Sequence, residues 1–211
     1  MLKSYFEVEA HDENFGYLRT SRKRRSRSFV QGFLKLHYPQ LISNTAITIT
    51  NIAGASCATG QFALSGLFRA THPGRTQGSI SSRALFTTYM SSVQVGIVLG
   101  TGTTSVTPTD FALATIIADG TSSSQLEYLS SSGSGLTISA PSGSFTLERL
   151  FRNSSGGTIT VNEVGVYSTA MDSTTSPENN GICIIRDIVS PGFAINDGEY
   201  ARVIYTLSIT A

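Results

Sequence analysis

The residue types that most often carry chemistry are sparse in this chain, and their spacing matches no metal or redox site. Of its three histidines, His11, His37 and His72, none lies at metal-ligand spacing from another histidine, a cysteine or a carboxylate. Cys57 and Cys183 are far apart in sequence and fit no redox motif. We therefore predict no metal site, and two unbonded, buried thiols in a reducing compartment.

Serine and glycine motifs give no catalytic signal either. A nucleophile elbow requires Gly-x-Ser-x-Gly between a strand and a helix, and the Gly-Ser pairs at 133–135 and 143–144 do not supply it. The run from Gly100 to Thr104 lacks the lysine of a phosphate loop and the third glycine of a dinucleotide motif. This run predicts a turn, and we expect neither a catalytic residue nor a cofactor.

Seven carboxylates beyond the N-terminal region have no spacing that would pair them. They are Asp110, Asp119, Glu127, Glu148, Glu163, Asp187 and Asp197. Acid–base catalysis by two carboxylates needs a fixed separation that only the fold can set. The sequence therefore predicts a protein that is not an enzyme.

The strongest local signal is a basic run near the N-terminus. It consists of Arg19, Arg22, Lys23, Arg24, Arg25 and Arg27. Such a cluster neutralises phosphates and binds nucleic acid in a salt-dependent way, but no aromatic side chain is interleaved with it for base stacking. The other interpretation, which we favour, is docking against acidic surfaces of neighbouring subunits, such as partner copies of Glu7 to Glu13.

Composition is typical of a subunit whose surface is covered by neighbours. Charged residues make up 14% of the 211 residues, below the roughly 25% of an average soluble domain. Abundant Ser and Thr, with 20 Gly, favour strands and tight turns over long surface helices. A monomer with so few charged residues is expected to be poorly soluble. Without a signal-peptide pattern or an apolar run of about 18 residues, we expect synthesis in a cytoplasm and no membrane contact.

Residues 1–45 differ from the remainder and predict an extended arm. An acidic patch precedes the basic run, and an apolar stretch that fits a short amphipathic helix or an irregular anchor follows it. We predict that the arm packs against other subunits, with the basic run as a charged clamp. Its apolar anchors would be Phe29, Phe33, Leu34 and Leu36.

Residues 46–211 predict a single antiparallel β-sandwich or jelly roll. Short alternating segments, such as the one at 46–50, are separated by turn signals. The last segment, Tyr200 to Ile209, is apolar at every second residue and follows a tight turn at 196–198. We expect it to be central or well paired in its sheet.

Three local elements are also predicted within this body. Thr109 and Asp110 are suited to cap one short helix from Phe111 to Ile117. A Ser/Gly-rich loop is expected at 130–134, and a hairpin turn at 153–157.

Three stretches, taken in order, resemble a widespread group of virion proteins of tailed bacteriophages. The first is IVLGTGTT at 97–104 with TDFAL at 109–113. The second is FTLERLFRNSSGGTITVNEVGVY at 145–167, and the third runs from IRD at 185–187 through NDG at 196–198 to YTL at 205–207. The resemblance covers roughly residues 93–210 and implies a β-sandwich body and a structural role in the head, neck or tail. It implies no catalytic residues and leaves the arm unexplained.

Three functions remain in competition. A virion structural subunit, made in the host cytoplasm, would contact other copies of itself and other virion proteins. A receptor- or glycan-binding module on a β-sandwich predicts exposed aromatic side chains along one loop edge, yet the chain has no Trp and its loops are rich in Ser and Gly. A hydrolase on the same scaffold is disfavoured because no site is visible.

Overall fold

The structure is a computed structural model, and it describes residues 2–26, 29–35, 47–59, 93, 95–133, 136–169 and 181–210. Over these residues the chain forms twelve strands, and one helical turn covers residues 31–35. The strands are β1 (Leu2–His11), β2 (Tyr17–Thr20), β3 (Arg24–Ser26), β4 (Ile47–Thr50), β5 (Ser56–Thr59), β6 (Gly96–Gly100), β7 (Glu127–Gly133), β8 (Thr137–Ser139), β9 (Ser142–Arg152), β10 (Ile159–Thr169), β11 (Gly181–Ile195) and β12 (Tyr200–Thr210).

Two antiparallel sheets pack together, which confirms the predicted all-β sandwich. Sheet A has the order β2-β1-β12-β9-β7, with β3 also paired to β1 and β8 to β9. Sheet B has the order β11-β10-β6, and β4 and β5 form a separate hairpin. The larger sheet therefore combines strands from the beginning, the middle and the end of the sequence.

Alternation along each strand of sheet A creates the core. On β12 the side chains of Ala201, Val203, Tyr205 and Leu207 are buried and the residues between them face outward. In sheet B most residues of the paired segments are buried, among them Ile184 and its neighbours. Each apolar side chain of this size contributes about 1.5–3 kcal/mol when fully buried, so the apposed faces stabilise the two-layer arrangement.

The last strand is central, as its alternation predicted. β12 pairs with β1 from Tyr200 to Ile209 and with β9 along its whole length. The predicted turn before it is also present, and Gly198 there has a φ of 82°. Glycine adopts this left-handed conformation without the steric cost that a Cβ would bring.

The N-terminal residues belong to the sandwich, which corrects the expectation that residues 1–45 leave it as an arm. β1 pairs with β12 over its full length, and β2 and β3 extend sheet A beyond β1. The physical reason is that apolar and charged side chains alternate along β1. Phe6 and Val8 are buried, whereas Glu7 and Glu9 face away from the core. In the described residues, position 45 therefore does not separate an arm from a body.

Two predicted local elements differ in the structure. The segment Phe111–Ile117 is irregular, because the N–H groups of Ala114 and Thr115 donate to a buried carboxylate and not to helix carbonyls. The expected Ser/Gly loop at 130–134 is strand in its described residues, since β7 runs to Gly133 and pairs with β9. In both places a partner distant in sequence overrides the local composition.

The turn at 153–157 joins the two sheets, which corrects the predicted hairpin. β9 lies in sheet A and β10 in sheet B, and the turn between β11 and β12 crosses back beside it. Asn153 links these two inter-sheet connections through hydrogen bonds. Its carbonyl accepts the N–H of Gly198, and its side-chain amide donates to the carbonyls of Gly157 and Ile195 at 2.7 and 2.8 Å. This fully buried residue therefore forms the corner of the sandwich.

Asn153→Ala should lower the free energy of unfolding by about 2–3 kcal/mol, because two carbonyl groups lose their donor. Equilibrium urea denaturation followed by circular dichroism measures the change. Thr158→Ala is the matched control, since this hydroxyl group joins the same corner at Asn196 from an exposed position and should contribute less than about 0.5 kcal/mol. Equal effects of the two substitutions would show that Asn153 does not fasten the corner.

Candidate subunit-contact surfaces and the buried ion-pair network

Two arginines of the basic run cover the edge of sheet B. Arg19 donates to the carboxylate of Glu199 at 2.8 and 2.5 Å and to the carbonyl of Ala194 at 2.6 Å. Arg24 donates to the carbonyl of Ser190. Both carbonyls lie on β11, an edge strand of sheet B. These side chains therefore occupy backbone groups that would otherwise be open to another strand.

Three other cations of the run are exposed, and we call Arg22, Lys23 and Arg25 the cationic strip. The strip lies along the β3 edge of sheet A, with Arg25 opposite Tyr5 of β1. Lys23 Nζ is 5.8 Å from the centre of the Tyr5 ring. Among the described residues, none of the three lies within ion-pair distance of a carboxylate. The strip therefore presents positive charge that nothing in this part of the chain neutralises.

Two of the predicted apolar anchors are occupied within the chain. Phe29 forms a β-bridge with Ile185 of β11, and its ring centre lies 4.4 Å from that of Phe33. Both rings pack against the core, whereas Leu34 is 68% exposed. Of the described anchors, Leu34 is the one open to a partner. The predicted Arg27 and Leu36 lie outside the described residues.

A surface that we call the apolar end consists of Leu136, Ile138 and Ile209. Ile138 and Ile209 each pair with Gly143 of β9, and their side chains flank this glycine on the inner face of sheet A. Ile138 is 76% exposed and Ile209 59%, although Leu207, the preceding inward residue of β12, is buried. The inner face of sheet A thus continues past the point where the core stops.

Two carboxylates converge on Arg186 in the interior of the sandwich. Glu163 Oε2 accepts from Arg186 Nε at 2.9 Å, and Asp110 Oδ2 accepts from Nη1 at 2.6 Å. Nη2 of the same guanidinium donates to the carbonyl and hydroxyl oxygens of Thr104. No spacing in the sequence indicated this cluster, because its members come from a loop and two different strands.

The Glu163 carboxylate also holds the loop that follows β6. Its oxygens accept the N–H groups of Gly102, Ala114 and Thr115 at 3.1, 3.1 and 2.8 Å. A Cβ at Gly102 would collide with the carboxylate, so the close approach requires glycine. With four donors on its two oxygens, Glu163 is engaged as a structural group and is not placed for acid–base catalysis.

The charges of this network are stabilised by their partners. Burial raises the pKa of Asp110, but hydrogen bonds from Thr107 and from Arg186 outweigh it and lower the pKa below its usual range. Burial lowers the pKa of Arg186, and the two carboxylates outweigh that effect and raise it. Both groups are therefore charged at neutral pH, as in a structural ion pair.

Arg149 crosses the core from sheet A toward sheet B. Its Nη1 donates to the carbonyls of Val95 and Ile97 at 2.9 and 3.1 Å, and its guanidinium lies 4.8 Å from the centre of the Tyr128 ring. Burial lowers the pKa of Arg149 to about 10, so the side chain remains charged at neutral pH. Sequence reasoning did not select it, because an arginine among apolar residues gives no signal until the facing carbonyls are known.

A row of side chains on the outer face of sheet A was also missed from the sequence. Tyr17, His11, Tyr200, Arg152 and Glu127 are successive register partners from β2 to β7, and we call them the end row. The ring centres of His11 and Tyr17 are 5.9 Å apart, and the Arg152 guanidinium lies 5.6 Å from the Tyr200 ring centre. Because the residues come from five strands, no local motif contains them.

The candidate metal and thiol residues do not cluster. His11 Nε2 is 3.3 Å from a Glu9 carboxylate oxygen, and Cys183 is a free, buried cysteine whose thiol pKa is raised by burial. Within the part of the chain that the structure describes, no three His, Cys, Asp or Glu side chains are grouped to hold a metal ion. His37, His72 and the side chain of Cys57 lie outside it.

Glu163→Gln should lower the free energy of unfolding by about 3–5 kcal/mol, because the buried guanidinium of Arg186 loses one of its two charge partners and an amide N–H group then faces other donors. Urea denaturation measures this loss. Glu13→Gln is the matched control at an exposed carboxylate and should change stability by less than about 0.5 kcal/mol. A loss below about 1 kcal/mol for Glu163→Gln would contradict the role assigned to the network.

Glu199→Gln should make the protein less sensitive to acid. Hydrogen bonds from Arg19 hold the pKa of Glu199 at about 2, below its ordinary 4.5. Because the folded pKa is depressed, this stabilisation is present above pH 4.5 and is lost as the pH falls toward 2. The slope of the unfolding free energy against pH should be shallower in this window for the variant. Identical slopes in the two proteins would contradict the assignment.

Comparisons with known proteins find no relative of this chain. No family model, no curated protein and no solved structure matches it. Among the residues described, no helix is long and apolar enough to cross a membrane. The functional conclusion therefore rests on the residues and their geometry.

Proposed function

We propose that the chain is a non-enzymatic structural subunit of a bacteriophage virion, a head, neck or tail component that acts through contacts with neighbouring subunits. The observation that carries this proposal is the apolar end, where the inner face of sheet A exposes Ile138 and Ile209. In a sandwich the second sheet normally covers this face. Apolar side chains left open on it indicate a surface that a neighbouring subunit covers.

The two exposed surfaces would contribute differently to such a contact. Each isoleucine of the apolar end stabilises an interface by about 1.5–3 kcal/mol if fully buried. Exposed ion pairs made by the cationic strip add only about 0–1 kcal/mol each. The apolar end therefore supplies the attraction, and the strip selects the partner and its orientation through acidic surfaces on other copies or on other virion proteins. Nucleic acid is the alternative partner for the same cations.

The placement of charged residues supports a structural role. Glu163, one of the carboxylates that the sequence left unassigned, holds the loop after β6 and is paired with Arg186. Gly102, Glu163 and Arg186 fall one each in the three stretches that resemble phage virion proteins. Residues of these three stretches therefore serve the fold, which fits a subunit made in the host cytoplasm and carried in the particle.

The double substitution Ile138→Ser and Ile209→Ser should leave folding intact but impair incorporation into particles. Both side chains are exposed in the isolated chain, so the free energy of unfolding should change by less than about 0.5 kcal/mol per site. Quantitative mass spectrometry of particles purified from cells that express the variant measures its incorporation.

Leu18→Ser is the matched control, because it removes an exposed apolar side chain from β2, at the opposite end of sheet A from Ile209. This variant should be incorporated into particles at the level of the unsubstituted chain. Full occupancy of the double variant in the particle would refute the proposed contact.

A further inference from the structure

We propose that the end row, together with the ring of Phe15 above it, is a binding platform for a neutral glycan. The proposal goes beyond the structural role and does not depend on it. It starts from exposed aromatic side chains along one loop edge of the sandwich, which is the feature that a glycan-binding module requires.

Two aromatic rings lie open at this edge. Phe15, in the turn between β1 and β2, is 56% exposed, and Tyr17, the first residue of β2, is 59% exposed. The Phe15 ring centre lies 4.7 Å from that of Tyr200, at an angle of 35°. A sugar ring has one face of C–H groups that packs on an aromatic face, so adjacent open rings offer stacking positions for successive sugar units.

The backbone holds Phe15 in an unfavourable conformation. Its φ is 60°, in the left-handed region that bulky residues avoid. The next residue, Gly16, would tolerate that conformation readily. The turn is fixed around Asp12, whose carboxylate accepts the N–H groups of Asn14 and Gly16 at 2.9 and 2.7 Å. Strain of this kind, imposed on an exposed aromatic residue, is characteristic of sites held ready for a ligand.

Two charged side chains continue the row beyond the aromatic rings. Arg152 and Glu127 continue the row, with Arg152 Nη1 3.9 Å from Glu127 Oε2. Their side chains are 44% and 29% exposed, so both can still donate to or accept from a ligand. A guanidinium and a carboxylate side by side can bind neighbouring hydroxyl groups in both directions, and such charge-assisted hydrogen bonds are the stronger kind.

The charges around the platform favour an uncharged ligand. Asp12, Glu13, Glu127 and Asp197 lie in the turns and strand ends of this edge, whereas Arg152 is the cation of the row. Arg19, the other nearby cation, is neutralised by its ion pair with Glu199. An excess of carboxylates repels nucleic acid and acidic sugars, so the chemistry selects a neutral glycan.

The size of the platform also favours a glycan over a protein partner. The open parts of Phe15 and Tyr17, together with Leu18 at 45% exposure, amount to roughly 300 Å² of apolar surface. A stable protein contact buries about 800 Å² on each partner. Five adjacent strands span about 19 Å, a length suited to a short oligosaccharide.

The test uses the full chain on an array of neutral oligosaccharides, followed by calorimetric titration of the probe that binds best. Phe15→Gly removes the ring and suits the left-handed backbone, so the variant should fold as stably as the original. Binding should weaken about tenfold or more for Phe15→Gly and for Tyr17→Ala. Ile138→Ala, at the other end of sheet A, is the control and should bind normally.

Three results would overturn the proposal: no binding of any neutral probe, binding that Phe15→Gly and Tyr17→Ala leave unchanged, or tighter binding of heparin or polysialic acid than of neutral glycans. Self-association that is lost in Phe15→Gly, seen by sedimentation without glycan binding, would assign the platform to a second copy instead. Particle incorporation of the Ile138 and Ile209 double variant is independent of all these outcomes, so the two proposals fail separately.

Discussion

The buried carboxyl group of Glu163 is the constraint on which the rest of this sandwich depends. A carboxylate without solvent contact needs donors for both oxygens, and a single strand cannot supply them. The chain meets the requirement by folding the loop after β6 over β10 and by directing Arg186 from β11 to the same point. Sheet B and its covering loop are therefore stabilised together. Residues from three separate stretches of the sequence, 97–104, 145–167 and 185–187, therefore meet at one buried point.

Sequence patterns predicted the elements that a local alternation or turn composition defines. They missed the elements whose conformation depends on groups distant in the sequence. β12 was foreseen because its apolar residues alternate, and the turn at 196–198 because its composition favours one. β1 alternates equally well, but Glu7 and Glu9 at its outward positions give the segment the composition of an acidic patch. The segment Phe111–Ile117 has helix-forming composition, yet Glu163, which lies about 50 residues away in sequence, takes its N–H groups.

The candidate surfaces were less predictable than the fold. The basic run was visible as charge, but its division into Arg19 and Arg24, which cover β11, and an exposed strip depends on which carbonyls lie opposite each side chain. Likewise, turn composition at 153–157 showed that the chain reverses but not that it changes sheets, because only the buried side chain of Asn153 distinguishes the two cases. The end row is defined by register across five strands, and no single sequence window contains it.

The pairing of β1 with β12 determines the order in which this chain can fold. Leu2 lies beside Ile209, so closing sheet A brings together positions about 200 residues apart, and contacts this distant form slowly. During synthesis β1 leaves the ribosome long before its partner exists. In sheet B the paired strands β10 and β11 are consecutive in the sequence, so this sheet is able to form first. Until residue 200 has been made, β1 has β2 and β3 along one edge but no strand along the other, and a nascent chain in this state is a natural client for a chaperone.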